Sequence, residues 1–218
     1  MNEPAETHTT SMITGRIVRL RPIEPEDLAF LARMTNDREV AGMVAGWDFP
    51  VAISEQRTWL EHVTGDSKTR RFMIVGEENE PLGMTGLYEI DWPNRHAIGP
   101  IKLYPPAVHV KGTGTDAIKT LMAYAFYDVG LQKLEGPIID FNGPSFGAYV
   151  KNCGWRIEGV FRRHVFRKGA YHDVYWISVL KEEFDMLADS VEYVARIMPV
   201  DVATKVDPPP EWWASSQA

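Results

Sequence analysis

The sequence predicts an α/β (α+β) fold: one mixed, mostly antiparallel sheet of seven strands with helices on both faces. Three observations support this prediction. Seven short apolar segments of strand length are bounded by turn residues, one long amphipathic helix separates the fourth from the fifth, and the last two are close enough to form a hairpin. A length of 218 residues with 44% apolar side chains suits one domain better than two.

The first part of the chain predicts one strand and two helices. Residues 1–14 are polar and without periodicity, so we expect a disordered N-terminal tail and place the domain at residues 15–199. The segment 16–23 is predicted to be a strand. Pro25 can open a helix because its fixed φ suits the first helical turn, and Ser54 can cap a second helix.

The middle of the chain predicts a meander followed by a long helix. Segments 71–76, 83–90 and 97–104 are expected to be successive strands joined by turns. The helix is predicted from Thr115 to Val129, because apolar residues recur there on one helical face and Gly130 supplies a left-handed stop.

The last part completes the predicted sheet, with the long helix as the crossover between the fourth and fifth strands. It comprises a strand at 134–140, a short helix at about 144–152, two strands at 157–167 and 171–180, and a terminal helix at 181–199. The terminal helix is expected to end at Pro199. Residues 200–218, which contain prolines and two adjacent tryptophans, are expected to be a C-terminal tail.

Composition and charge exclude several classes of protein. With 30 acidic and 23 basic residues, the net charge is −7, which disfavours a nucleic-acid-binding surface and favours cationic small molecules. No apolar run approaches the ~20 residues that span a bilayer, and no leader-like segment opens the chain, so we expect a cytoplasmic protein that does not enter a membrane. The single cysteine, Cys153, cannot form an internal disulfide, and no Cys/His spacing predicts a metal site.

The segment HVKGTGTDA, residues 109–117, follows a predicted strand and opens the long helix. Gly112 and Gly114 allow the backbone to approach a ligand closely, and the amides of a first helical turn lie at the positive end of the helix dipole. This arrangement suits a pyrophosphate. The alternative is an ordinary glycine turn, because short glycine motifs also occur by chance.

Further along, residues 142–155 read NGPSFGAYVKNCGW. Together the two segments resemble the phosphate-binding signature and the second signature of the GCN5-related N-acetyltransferases (GNAT superfamily). The runs GRIVRLRPIEPEDL, LYEIDWPNRHA and EGVFRRHVFRKGAYHDVYWISVL add to the resemblance, and the last is similar to the RimJ/RimL-like branch. The similarity extends over about residues 15–184 in the expected order.

The resemblance implies the GNAT fold, in which the fourth and fifth strands splay apart and the pantetheine arm of coenzyme A lies between them. Acetyl-CoA is then the co-substrate, and no metal is implied. Its contacts are expected from the fourth strand, the phosphate loop and the second signature, namely from Ile101, Lys102, Leu103, His109, Val110, Lys111, Gly112, Thr113, Gly114, Thr115, Asn142 and Lys151.

The resemblance also implies catalytic residues. In the family, a tyrosine placed like Tyr149 faces the thioester sulfur, and a phenol with a pKa of ~10 can protonate a thiolate whose thiol has a pKa of ~8.5. The alternative for Tyr149 is a core tyrosine that makes one buried hydrogen bond. Ser145 is expected either near the sulfur or as a helix cap.

An amine acceptor also needs a base, because an alkylammonium with a pKa of ~10 is protonated at neutral pH. Ile98 stands where relatives often carry a glutamate. His164 is our candidate for the base. Some members of the RimJ/RimL-like branch carry a glutamate at the position that aligns with Val165. His164 can replace this glutamate only if a bulge shifts the strand register, because adjacent strand residues face opposite sides. Other candidates are Glu89, Asp91, His96 and Asp173.

The sequence therefore predicts an N-acetyltransferase in which a primary amine attacks acetyl-CoA directly. The resemblance implies acceptors such as protein N-termini, polyamines and small amine metabolites or antibiotics, and it allows a homodimer. His109, Val110 and Pro100 depart from the family pattern, which leaves two alternatives open. One is an aminoacyl transferase that uses aminoacyl-tRNA as donor, and the other is a non-catalytic CoA-binding module whose tail Trp212 and Trp213 dock on a partner.

Overall fold

The computed structural model describes residues 12–47, 49–104 and 111–198. Nine strands within this part form one sheet in the order β1-β2-β3-β4-β5-β7-β9-β8, with β6 paired to β4. The strands are β1 (Ile13–Thr14), β2 (Arg19–Pro22), β3 (Arg70–Val75), β4 (Pro81–Asp91), β5 (His96–Ile98), β6 (Ile101–Leu103), β7 (Lys133–Ile139), β8 (Arg156–Arg167) and β9 (Ala170–Leu180).

The helices lie between these strands and after the last of them. They are α1 (Leu28–Asn36), preceded by the 3₁₀ turn Pro25–Asp27, α2 (Arg38–Met43), α3 (Ile53–Gly65), α4 (Thr113–Ala123), α5 (Gly143–Phe146), α6 (Lys181–Asp185) and α7 (Ser190–Ile197). Both α4 and α5 continue into a π-helical turn, at Tyr124–Asp128 and Gly147–Asn152. No helix of the described part is long and apolar enough to span a bilayer.

The predicted fold class is confirmed, with helices on both faces of a mixed sheet. All strand pairs are antiparallel except β5 with β7. On one face, Leu31 and Met34 of α1 pack against Met73 and Met84. The opposite face is covered by α4, α7 and the π-helical turn after α5, whose apolar side chains share one core cluster with the sheet.

The sheet differs from the seven predicted strands in two ways. The predicted fourth strand, 97–104, is divided into β5 and β6, because the chain bends at Gly99 and Pro100, and proline has no N–H for a strand ladder. At the N-terminus, Ile13 and Thr14 pair with β2, so the sheet begins ahead of the predicted domain start at residue 15.

The predicted terminal helix 181–199 is wrong as a single helix. It is divided into α6 and α7 by a turn at residues 186–189, which is held by the Ser190 hydroxyl donating to the carbonyl of Asp185 at 3.0 Å. The second predicted helix is present as α3, but it begins at Ile53 rather than after a Ser54 cap. Its first turn is closed by the Glu55 carboxylate, which accepts from the amide of Ala52 at 2.6 Å.

A buried carboxylate fixes the start of α4 against the sheet. Asp116 accepts hydrogen bonds from the amides of Arg16, Ile17 and Val18 at 3.0, 2.7 and 2.9 Å, and from the Tyr193 hydroxyl at 2.6 Å. Burial and the bond to Asp116 raise the pKa of Tyr193, so this phenol keeps its proton. These contacts determine where the first turn of α4 lies.

Candidate active site

The sheet opens at one point between β6 and β7. β5 pairs with β7 in parallel as far as Ile98, and the Gly99 amide makes one further hydrogen bond, to the Glu135 carbonyl at 3.0 Å. Beyond Pro100, β6 pairs with β4 and not with β7. The predicted splay between the fourth and fifth strands is therefore present and begins at Gly99.

The gap exposes one backbone edge of β6. The amide of Tyr104 bonds the Leu82 carbonyl on β4 at 2.9 Å. Because backbone groups alternate along an antiparallel pair, those of Ile101 and Leu103 are directed towards the gap, whereas those of Lys102 belong to the ladder with β4. This edge fits an extended arm such as pantetheine. The Ile101 amide is bonded to the Tyr149 hydroxyl, so within the predicted set the Ile101 carbonyl and the backbone of Leu103 are the groups that would pair with the arm.

The N-terminus of α4 lies beside this edge. Gly112 precedes the helix with φ of +96°, a left-handed conformation that favours glycine. A Cβ on Gly114 would lie 3.5 Å from Cδ1 of Ile101 and 3.6 Å from Cδ1 of Leu103. The predicted phosphate loop and the predicted pantetheine strand are thus in contact.

The remaining loop residues are placed as follows. Lys111 is exposed, Thr113 is buried, and Thr115 is half-buried, with its hydroxyl accepting from Asn152 at 3.1 Å. His109 and Val110 lie outside the described residues.

Tyr149 reaches the splay from the π-helical turn after α5. Its hydroxyl donates to the carbonyl of Gly99 at 3.0 Å and accepts from the amide of Ile101 at 2.8 Å. Its ring is 5% exposed and packs edge-on against Trp155 at 4.8 Å. Of the two interpretations of Tyr149, the buried hydrogen bond is present, and it lies at the point where the sheet opens.

Burial raises the pKa of Tyr149, and the Ile101 amide offsets part of that effect because it bonds the phenol oxygen. The phenol therefore carries a proton at neutral pH. Burial also raises the pKa of Cys153 to about 12, so this thiol is not a thiolate nucleophile.

Two residues of the second signature stabilise the start of α5. The Asn142 side chain accepts from the Ser145 amide at 3.2 Å and donates to the Met43 carbonyl at 3.1 Å. Asn142 is therefore the helix cap, and Ser145 is not. The Ser145 side chain is half-buried, and Lys151 is exposed.

His164 lies on a bulge of β8, which is the condition set above for its role. Phe161 pairs with Val174 and Val165 with His172, so three residues of β8 oppose one of β9. The His164 ring is exposed and lies 5.2 Å from the ring of Phe161.

The other candidates for the base have different partners. His96 lies between two carboxylates, 3.3 Å from Glu135 and 3.6 Å from Asp91. Asp173 accepts from the amide of Arg163 at 2.7 Å, which closes the bulge, and Glu89 is exposed. The described residues contain no group of three or more His, Cys, Asp and Glu side chains that could hold a metal ion.

A cluster that the sequence did not indicate lies on the opposite face, under α1 and α3, and it includes Lys102, which was predicted as a coenzyme A contact. Arg71 and Lys102 both lie over the ring of Tyr88, with Cζ and Nζ at 4.0 and 5.0 Å from its centroid. Their spacing along the chain carries no signal, because they come from β3, β4 and β6 and meet only through the strand register.

Comparison with known proteins identifies the family. Residues 18–155, more than half of the chain, match the acetyltransferase (GNAT) domain. The chain belongs to the GNAT acetyltransferase family. This acetyltransferase is 28% identical over 173 residues to the SPbeta prophage-derived N-acetyltransferase YokL of Bacillus subtilis, with 79% of the chain and 95% of the relative covered.

Two further similarities concern proteins named for spermidine. The Escherichia coli spermidine N(1)-acetyltransferase is 27% identical over 173 residues, covering 79% of the chain and 91% of that protein. The structure of the Vibrio cholerae spermidine N-acetyltransferase in complex with CoA and spermine has a TM-score of 0.71 and 25% identity, covering 77% of the chain and 97% of that structure. The chain is an acetyltransferase that uses acetyl-CoA and acts on amines.

Proposed function

We propose that this acetyltransferase transfers the acetyl group directly from acetyl-CoA to a primary amine, with Tyr149 as the general acid. The observation that carries the proposal is the position of the Tyr149 hydroxyl, bonded to Gly99 and Ile101 where the sheet opens between β6 and β7. Acetyl-CoA supplies the thioester. Its pantetheine arm would pair with the free edge of β6, and its pyrophosphate would bind the first turn of α4.

Direct attack fits the residues present. The amine nitrogen forms a bond to the carbonyl carbon, the C–S bond then breaks, and Tyr149 gives its proton to the departing thiolate. The Ile101 amide would stabilise the tyrosinate, which regains a proton from solvent. Because Cys153 is buried and protonated, a covalent acyl-cysteine is not part of this mechanism.

The ammonium form of the acceptor must lose a proton before its nitrogen can attack, and we propose His164 as the base that takes this proton. The bulge of β8 brings its ring next to Phe161, which in turn lies 5.8 Å from Trp176 on β9. Trp176 lies on the same sheet face as Glu135, because its indole N–H donates to the Glu135 carboxylate at 3.2 Å. Ser145, Asn142 and Lys151 remain proposed contacts of the thioester and the pantetheine arm.

The acceptor class is also a proposal. The relatives named for spermidine suggest a polyamine, and the similarity of residues 158–180 to the RimJ/RimL-like branch suggests a protein N-terminus. The test is thiol release from acetyl-CoA with spermidine, spermine, a peptide with a free N-terminus and simple primary amines. We expect release with at least one of them. No release above the enzyme-free rate, together with no thermal shift on adding CoA, would contradict the proposal.

We further propose a cytoplasmic homodimer. The edge strand β8 carries large apolar side chains that are about half exposed, among them Ile157, Val160 and Phe161, and such a surface suits contact with a second copy. Light scattering after size-exclusion chromatography tests this, and a monomer at micromolar concentration would contradict it.

A further inference from the structure

Lys102 differs from the other buried cations of this protein. Arg21 and Lys119, which are 9% and 8% exposed, each have a carboxylate at 2.7 Å, from Asp27 and Asp189. Lys102 is equally buried, at 9% exposure, yet its ammonium has no ion pair or hydrogen bond within the described part of the chain. Native proteins rarely leave a buried charge unpaired, because its desolvation is costly.

A second unpaired cation lies on the same ring. The Arg71 guanidinium is 4.0 Å from the Tyr88 centroid and has no carboxylate partner in the described residues. Its Nε atom is buried without a hydrogen bond, and so is the hydroxyl of Tyr88. Two polar atoms at this ring, the Nε of Arg71 and the hydroxyl of Tyr88, are therefore buried and unsatisfied, and the Lys102 ammonium beside them has no anionic partner in the described residues.

Aromatic rings hold both cations in place. Lys102 also lies 5.2 Å from the ring centroid of Trp47, and Arg71 lies 5.1 Å from that of Trp59. Cation–π contacts offset part of the desolvation cost, but they leave the net charge and the repulsion between two like charges. An anion bound between them would remove both costs.

The position of this pair limits what the anion can be. Arg71 lines a cleft of about 390 Å³ between α1, α3 and the sheet, together with apolar side chains such as Trp47, Trp59 and Met84. The lining also contains polar residues, among them Glu55, whose carboxylate accepts from the Ala52 amide. The start of α4, where the pyrophosphate is proposed to bind, packs against Ile101 and Leu103 on the other face. The anion is therefore not the diphosphate of the donor.

We propose that the acceptor of this enzyme carries a carboxylate in addition to its amine, and that Arg71, Lys102 and the Tyr88 hydroxyl bind that carboxylate. This inference rests on the proposed function and specifies its substrate class. It separates this chain from the relatives named for spermidine, because a polyamine carries only positive charge and would be repelled by the two cations. The cleft, whose lining is largely apolar, would take the body of the acceptor.

The test compares amines that differ only in a carboxylate: tyrosine with tyramine, and lysine with 1,5-diaminopentane. In the pair that is acetylated faster, we expect kcat/KM to be at least about tenfold higher for the amine that carries the carboxylate. A tenfold difference is in the range of one charge-assisted hydrogen bond. Arg71→Met and Lys102→Met should each remove that preference while the KM for acetyl-CoA changes less than about threefold. Arg57→Met, an exposed arginine of α3, is the matched control and should keep the preference.

In the activity measurements, three results would overturn the inference: equal kcat/KM within both pairs, a preference for spermidine, or an unchanged preference in both variants. A melting curve of each variant shows that it is folded. Tighter binding of inorganic phosphate than of the carboxylated amines would also contradict it, because the site would then be a general anion site.

A binding measurement separates this inference from the proposed function. Isothermal titration of tyrosine and lysine into the CoA-saturated protein should show binding that Arg71→Met weakens at least about tenfold. If no amine releases thiol but this binding is present, the transfer reaction fails and the carboxylate site stands. If thiol is released and neither carboxylated amine binds better than its partner, the reaction stands and the carboxylate site fails.

Discussion

The hydroxyl of Tyr149 donates a hydrogen bond to the carbonyl of Gly99 over 3.0 Å, at the last residue whose amide bonds β7. Its oxygen also accepts from the Ile101 amide, so one phenol bridges both sides of Pro100, where β5 ends and β6 begins. The same contact has two consequences. It stabilises the bend at Pro100, which has no backbone N–H to donate a hydrogen bond. It also holds a protonated phenol at the opening between β6 and β7.

Tyr149→Phe should reduce kcat by about 10²-fold or more, the range of general acid catalysis, and change the Kd for CoA little. It should also cost about 1–2 kcal/mol of stability, because two buried hydrogen bonds are lost. The control is Tyr127→Phe, since the Tyr127 hydroxyl also makes two hydrogen bonds, to Asp185 and Lys181, outside the site. Equal losses of kcat in the two variants would remove the acid assignment.

Gly112→Ala should weaken CoA binding. Its φ of +96° strains any side chain, and the new Cβ would lie 3.3 Å from Cδ1 of Ile17. Gly130→Ala is the control, because Gly130 has φ of +81° but open space around it. Both variants should lose about 1 kcal/mol of stability, and we expect only Gly112→Ala to raise the Kd for CoA in a titration. A similar Kd in both variants would contradict a phosphate-binding role for this turn.

His164→Ala should lower kcat/KM most at neutral pH. The loss should shrink as the pH rises towards the amine pKa of ~10, because the acceptor then loses its proton without a base. His62→Ala, which changes an exposed histidine of α3, should leave the pH profile as it is. A loss for His164→Ala that does not vary with pH would assign the histidine a structural role instead.

Glu192 should make the fold sensitive to acid. Hydrogen bonds from Arg16 and then Arg196 lower the pKa of this carboxylate to about 2. Because its folded pKa lies below the unfolded value, its stabilisation is present above pH ~4.5 and is lost as the pH falls towards 2. Glu192→Gln should therefore make the melting temperature depend less on pH over this interval. Glu61→Gln, an exposed glutamate of α3, should not, and high salt should weaken the difference because Glu192 is exposed.

Much of the fold could be predicted because its elements have local signals. The strands are bounded by turn residues, the face of α4 is periodic, and the two signatures place the phosphate loop and Tyr149. By contrast, α2 is only six residues long and was not predicted. The break between α6 and α7 was missed as well, because residues 186–189 contain neither proline nor glycine.

The sequence predicted only those site residues that belong to a single recognisable segment of the chain. The sequence marked Pro100 as a departure from the family pattern, but it could not show that Tyr149 bridges Gly99 and Ile101 on either side of it, because the contact with Gly99 joins residues 50 positions apart. The bulge at His164 was stated as a condition, and the register of β8 against β9 meets it. The cluster of Arg71, Tyr88 and Lys102 was not predicted, although Lys102 was expected as a coenzyme A contact, because only the pairing of β3, β4 and β6 brings the three residues together.

The measurement that tests the central claim most directly is a crystal structure with acetyl-CoA, or with CoA and an amine acceptor. It should show the pantetheine arm between β6 and β7 and the sulfur within ~3.5 Å of the Tyr149 hydroxyl. A pantetheine arm bound elsewhere, or a sulfur separated from this hydroxyl by other side chains, would contradict the assignment of Tyr149 as the acid.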